Sequence, residues 1–207
     1  MPNVLITAFE PYAEWKQNSS WLALLELTKD LPEIPRVVTR LYPVDFAQMQ
    51  QRLEEDLKQN YDFAIHLGQA PGSTRIRLEA IGLNIGGATS QLPEEHRPLV
   101  AQGPAAYQSE LPLSSWASRL RFASIPAAVS YHAGTYLCNA LLYLSLHLAK
   151  TRALCTKAAF IHLPLAPVQV VEDQKDMPTM LPETSAKALK LILAEIAQGF
   201  DGQRTFV

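Results

Sequence analysis

Apolar and polar positions along the chain follow two rhythms. Short unbroken apolar runs alternate with stretches whose apolar residues return every three or four positions. "NVLIT" (3–7) predicts a buried first strand, and "WLALLELTKDL" (21–31) a helix that Asn18, Ser19 or Ser20 could cap. "RVVTRLYPV" predicts a second strand. "FAQMQQRLEEDLKQN" predicts an amphipathic helix with Phe46, Met49, Leu53 and Leu57 on one stripe. "FAIHLG" predicts a third buried strand, whereas "RIRLEAIGLNI" alternates and suits a more exposed or antiparallel one. Residues 86–113 carry Pro, Gly and Gln with little periodicity and predict a long loop or arm. "SSWASRLRFA" predicts a short helix capped by Ser114, "IPAAVS" a brief strand, "AAFIHLPL" the last strand and "SAKALKLILAEIAQ" a closing amphipathic helix.

Strands that alternate with helices predict a mainly parallel sheet covered on both faces. The chain's 207 residues fit a single domain, with no repeat or linker to divide it. Ligands in such folds gather beyond the carboxyl ends of the strands. Those ends carry "AFEPY", "GQAPGS", "SYHAGTYLC" and "HLPLAP".

Charge and composition narrow the partners. A formal charge of −2, with no long run of one sign, gives no electrostatic reason to expect nucleic acid or an anionic membrane. The most apolar stretch, 137–149, is too short to span a bilayer and is broken by Asn139, Ser145 and His147. "MPNVLITAFE" has no basic region followed by an apolar stretch and a small-residue cleavage site, so no secretory signal is expected. Two cysteines make no disulfide framework and suit a reduced, cytoplasmic compartment.

Cys138 is the candidate nucleophile. Thr135 as N-cap would put it in the first turn of an apolar helix, where orphan N–H groups stabilise a thiolate and could receive an oxyanion. The competing reading is a buried structural cysteine. His162, near the end of an apolar strand, can take a thiol proton and return it to a leaving amine; the alternative is a satisfied core histidine. Glu79 can orient an imidazole and support its cation, or else pair on the surface with Arg75 or Arg77. His132, close to Cys138 in sequence, is the rival base. His147 reads as a helix-surface residue and Cys155 as structural. His66, His96, His132 and His147 show no metal-ligand spacing, and Gly68, Gly72, Gly86 and Gly87 form no dinucleotide or phosphate loop.

Taken together, the flanking segments resemble those of pyroglutamyl peptidase I, the pyrrolidone-carboxyl peptidases. "VLITAFEPYAEWKQNSSW" is similar to that family's opening strand and loop, and "HLGQAPGSTRIRLEAIGLNI" to its glutamate segment. "GPAAYQSELP" followed by "IPAAVSYHAGTYLCNALLY" resembles its nucleophile segment, and "FIHLPLAP" its histidine segment. The matches keep the family's order over nearly the whole chain. The resemblance implies a Glu79–Cys138–His162 triad, with Cys138 as nucleophile, His162 as general base and acid, and Glu79 as orienting carboxylate. It implies Phe9 and Tyr12 as the aromatic pair around the lactam ring, Asn18 and Gln69 as polar positions near the substrate, and Tyr136 and Leu137 as pocket wall. It further implies an α/β fold, a single three-layer α/β/α sandwich with a mainly parallel mixed central sheet, and a cysteine exopeptidase acting on N-terminally pyroglutamylated peptides through a thioester. The family is usually a homotetramer (a dimer being the lesser assembly expected here) without metal or organic cofactor. This sequence departs from the family pattern at Ala13 and Glu14, where the family has two glycines, at Ser19, at Pro71-Gly72-Ser73, and at Ala80, where an arginine is usual. Those departures leave two alternatives: a weakly active or inactive binding protein on the same scaffold, and an amidase for another cyclic N-terminal residue.

Overall fold

The computed structural model describes residues 1–88, 90–171 and 176–203. Six strands form the central sheet: β1 (Asn3–Phe9), β2 (Arg36–Tyr42), β3 (Phe63–Gln69), β4 (Ile76–Glu79), β7 (Ala127–Ser130) and β8 (Lys157–Leu163), in the order β2-β1-β3-β8-β4-β7. The pairs β1–β2, β1–β3 and β3–β8 are parallel, β8–β4 is antiparallel, and β4–β7 is parallel. The single strand expected over "RIRLEAIGLNI" is instead two: β4, antiparallel to β8 but parallel to β7, and β5 (Ile81–Leu83), which leaves the central sheet to pair antiparallel elsewhere. The sheet is mixed and mainly parallel, with helices on both faces.

Period-two alternation divides the core between those faces. Val4, Ile6 and Ala8 of β1, Ile65 and Leu67 of β3, and Ile161 and Leu163 of β8 face one way. They pack on α1 (Ser19–Thr28), α3 (Leu113–Phe122) and α6 (Pro182–Gln203), whose Leu24, Leu27, Trp116, Leu189 and Ile192 are nearly or wholly buried. The other face carries Phe9, Ala64, Ala158 and Phe160 and packs on α2 (Phe46–Asp56) and α4 (Leu137–Thr151). Met49, Leu53 and Leu57 of the expected α2 stripe are fully buried, while Phe46 is half-buried at the helix start. Burial of such side chains supplies about 1.5–3 kcal/mol each before the cost of ordering them.

Several helix starts differ from the sequence expectation. Asn18, the first of the three expected caps, does cap α1, its side-chain oxygen accepting from Ser20 N–H at 3.0 Å, but the helix then starts earlier than position 21. Pro112, not Ser114, stands at the N-cap of α3, and its ring sets φ at −78° there. Tyr136, not Thr135, stands at the N-cap of α4 and gives no side-chain cap. The Thr135 hydroxyl instead donates to Gly87 C=O.

The segment 86–113 is more ordered than a loop, residue 89 lying outside the described residues. Its β6 (Ala106–Gln108) pairs antiparallel with β5 (Ile81–Leu83) as a two-stranded ribbon. The ribbon docks on α4 through Asn139, which accepts from Leu83 N–H at 2.8 Å and donates to the carbonyls of Leu83 and Ile85. A buried asparagine thus supplies the bonds a third strand would have made. Sequence periodicity missed this because the partner is a side chain.

His147 is half-buried rather than a surface residue: it stacks on Tyr143 with ring centroids 5.9 Å apart, and its Nδ1 meets the Tyr107 hydroxyl at 3.0 Å. Cys155 is exposed in the α4–β8 connection, not part of the core, and both cysteines are free. His66 is wholly buried between Thr7 Oγ1 and Ser145 Oγ, each at 2.8 Å, and burial pushes its pKa down to about 3, so it is neutral.

Candidate active site

The carboxyl ends of β1, β3 and β8 open beside the amino end of α4. Cys138 is the second residue of that helix and half-buried. The first backbone N–H to bond back along the helix is that of Ala140, to Tyr136 C=O at 3.0 Å. The N–H groups of residues 137–139 precede it, and Tyr136 contributes no side-chain cap. They are oriented donors at the positive end of the helix.

Room for the sulfur comes from β3. A Cβ added at Gly68 would stand 3.0 Å from Cys138 Sγ and 2.6 Å from the Phe160 ring. Gly68 is therefore glycine because two side chains occupy the space a methyl would fill. We expect Gly68→Ala to cost about 1–3 kcal/mol through overpacking and to displace the sulfur. The Tm should fall by roughly 2–4 °C per kcal/mol, and activity by about a hundredfold. Melting and turnover measured on one preparation check this; an unchanged Tm and rate would count against it.

Sheet register brings the histidine and the acid together. His162 lies beside Gly68 on β3 and opposite Arg77 on β4, and Glu79 lies opposite Phe160. Glu79 and His162 are two positions apart on neighbouring antiparallel strands and share a sheet face. His162 Nδ1 meets Glu79 Oε1 at 2.8 Å, with Glu79 at 0% and His162 at 8% exposure. Glu79 is therefore not a surface partner of Arg75 or Arg77. Its second oxygen, Oε2, is buried with no hydrogen-bond partner. Burial alone would push the imidazole pKa down. The charge of Cys138 and its hydrogen bonding, followed by the hydrogen bond and charge of Glu79, outweigh it and raise the pKa to about 9. With Nδ1 engaged by Glu79, Nε2 is the nitrogen left to serve the sulfur.

Two connected hollows meet at Cys138. An apolar recess of about 310 Å³, mouth included, is lined by Phe9, Tyr12, Asn18, Val44, Gln69, Tyr136, Leu137 and Cys138. A wider cleft of about 1200 Å³ shares Tyr12, Gln69, Tyr136 and Cys138 and adds His162 and the small residues Ala13, Ala88, Ala133 and Gly134. All six pocket residues expected from the sequence therefore lie around one recess. Burial raises the Tyr12 phenol pKa against the opposing effect of the neighbouring Gln69 side chain. Asn18 spends its oxygen on Ser20 N–H and Ser20 Oγ–H and donates to Glu10 C=O, so it shapes the recess wall through the backbone. Val44 was not expected; it follows the carboxyl end of β2, where strand-end reasoning could have found it. His132 is exposed, accepts from Gly134 N–H and lines neither hollow. Among the described residues no cluster of three or more His, Cys, Asp or Glu could hold a metal ion, and no helix is long and apolar enough to cross a membrane.

A family model described as pyroglutamyl peptidase matches residues 2–199. The pyrrolidone-carboxylate peptidase of Thermococcus kodakarensis is 35% identical over 195 residues, covering 92% of this chain and 93% of that protein. That of Streptomyces coelicolor is 34% identical, covering 96% and 93%. The crystal structure of the pyrrolidone carboxyl peptidase from Fervidobacterium islandicum AW-1 superposes with a TM-score of 0.90 at 34% identity, covering 96% of this chain and 99% of that one.

Proposed function

The chain belongs to the pyroglutamyl peptidase family of cysteine peptidases, and on that premise we propose that residues 1–207 act as one exopeptidase domain that removes N-terminal pyroglutamate from peptides. The observation that carries the residue roles is the meeting of Cys138, His162 and Glu79 at the mouth of an apolar recess.

The recess suits a small, flat, uncharged lactam. Phe9 and Tyr12 offer aromatic faces, Tyr136 and Leu137 the wall beside the sulfur, and Asn18 and Gln69 the polar edge. In the first half-reaction the Cys138 sulfur attacks the carbonyl carbon that follows the lactam ring. The N–H groups at the start of α4 receive the developing oxyanion. His162, raised to about 9, enters as the imidazolium and gives its Nε2 proton to the leaving amine as the C–N bond breaks. The product is a thioester and a shortened peptide. In the second half-reaction neutral His162 takes a proton from water, the oxygen attacks the thioester carbon, and the C–S bond breaks to release pyroglutamate and the sulfur. Glu79 holds the ring by Nδ1 and supports its cation. The departing peptide leaves through the wider cleft, where Ala13, Ala88, Ala133 and Gly134 leave space for varied side chains.

The test is a chromogenic pyroglutamyl amide beside its prolyl counterpart, each with and without iodoacetamide. The expected result is iodoacetamide-sensitive release from the pyroglutamyl amide alone. The prolyl ring has no carbonyl, and an unpaired polar group in the pocket costs about 1–3 kcal/mol. Binding without release would instead support the non-catalytic reading, and release from another ring the amidase reading.

We further place the protein in the cytoplasm, as two free thiols, one of them exposed, suit a reduced compartment. We also propose a homo-oligomer, tetramer or dimer, on the family resemblance; its mass in solution checks this.

A further inference from the structure

Gln169 lies on α5 (Val168–Val171), a short helix after β8 that the sequence pattern did not reveal. It is buried, and backbone groups orient its amide. Ala166 N–H donates to Gln169 Oε1 at 2.8 Å, and Gln169 Nε2 donates to Gln17 C=O at 3.0 Å. A backbone N–H can only donate and a carbonyl only accept, so the two ends of this amide cannot be exchanged. The same Nε2 also donates to Gln69 Oε1 at 2.8 Å, and Ser19 N–H donates to that oxygen at 3.2 Å.

Gln69 is oriented in turn. Its oxygen takes two donors, and its Nε2 is buried with no hydrogen-bond partner, in a side chain 5% exposed that lines the recess beside Cys138. A buried amide N–H₂ without an acceptor is unfavourable. The Tyr12 phenol is close enough to feel the Gln69 side chain as a hydrogen-bonding neighbour, but no bond of proper geometry forms, which leaves the N–H₂ group for a ligand.

We propose that Gln169 is a positioning residue for substrate recognition. Through Ala166, Gln17 and Ser19 the backbone dictates the polarity of a two-amide relay, which ends with Gln69 Nε2 as the donor for the ring carbonyl of the lactam. Turned over, Gln69 would present an oxygen to that carbonyl, and like dipoles would repel. The relay also ties the segment after β8 to the segment leading into α1 and to the end of β3. The proposal rests on the reading of the recess as a lactam site.

The experiment separates the two ideas. In a Cys155→Ser background, the rate at which iodoacetamide alkylates Cys138 reports occupancy of the recess without turnover, and 2-pyrrolidone, the bare lactam, is the probe. The parent should be protected by 2-pyrrolidone. Gln169→Glu offers an acceptor to Gln69 Oε1 and should raise the half-protecting concentration by about 10–100-fold, and Gln169→Met, which removes the donor to Gln69 together with the acceptor for Ala166 N–H, by several-fold. The unprotected alkylation rate should stay near that of the parent, while Tm falls by several degrees because Gln17 C=O loses its donor in both variants. Should Gln169→Glu fail to fold, Gln169→Met decides. Protection in both variants within twofold of the parent overturns the role of Gln169 and leaves the lactam reading standing. A loss of Tm and of unprotected alkylation with no change in protection also overturns it, since a merely structural residue would behave that way. A parent that 2-pyrrolidone does not protect sinks the lactam reading and this inference together.

Discussion

Cys138→Ala is expected to lower pyroglutamyl amide hydrolysis by at least about 10⁴-fold, the scale on which loss of a nucleophile acts, while Cys155→Ser keeps wild-type turnover. The contrast is informative because the chain has only these two thiols. Cys138 stands at the amino end of α4 against Gly68 and beside His162. Cys155 stands exposed in a connection that reaches neither hollow at the strand ends. Alanine leaves the recess wall nearly intact, so lactam binding should survive in Cys138→Ala while release of the amine stops. Matched steady-state kinetics on both variants decide the point. Equal losses, or none in either, would remove Cys138 from the mechanism.

Glu79→Gln should be the second most damaging change, lowering kcat/KM by about 10²–10⁴-fold with little loss of fold. Glutamine has the same shape and can still accept from His162 Nδ1, so the ring remains in place. The substitution removes the negative charge that helps hold the imidazole proton. His162 sits at about 9 in the folded protein against 6.5 unperturbed, an increase to which Cys138 and then Glu79 contribute over the opposing effect of burial. In wild type the activity that needs an imidazolium should decline as pH rises through about 9. In Glu79→Gln that alkaline limb should move toward neutral pH. Stability carries the same sign. A folded pKa above the unfolded one means that the contribution of His162 is fully present below about pH 6.5 and is lost as pH rises through about 9. Above that, neutral His162 leaves the Glu79 carboxylate buried at 0% exposure with Oε2 unpaired. A pH–rate profile and melts from pH 6 to 10 on both proteins test this. An alkaline limb at the same pH in both would show that Glu79 does not tune the histidine.

The expectations that held came from local periodicity. β1, β3 and β8 match apolar runs because a strand buried on both faces needs no polar alternation. α2 follows its 3.6-residue stripe, and Met49, Leu53 and Leu57 are buried where that stripe puts them. The expectations that failed depended on contacts outside their own segment. Thr135 has the chemistry of a cap but donates to Gly87 C=O, because the 86–113 segment folds back against it. His147 falls on a polar position of α4, yet Tyr107 from β6 covers it. Gln169 showed no signal, because its role lies in bonds to residues 100 and 152 positions away.

Apart from β6, α5 and the division of β4 from β5, the amino-acid order by itself determined which segments are strands and helices, which strand ends carry reactive side chains, and that a thiol begins an apolar helix. Those features depend on neighbours within a turn or two, where sterics and periodicity act directly. Only the tertiary structure decided that Glu79 and His162, 83 residues apart, stand 2.8 Å from each other. That distance follows from strand order and from the reversal of β4 against β8, and no local pattern encodes which strand lies beside which. The same is true of the gap at Gly68 that admits the sulfur: its size is set by Phe160 on the adjacent strand and by the approach of α4 from across the layer.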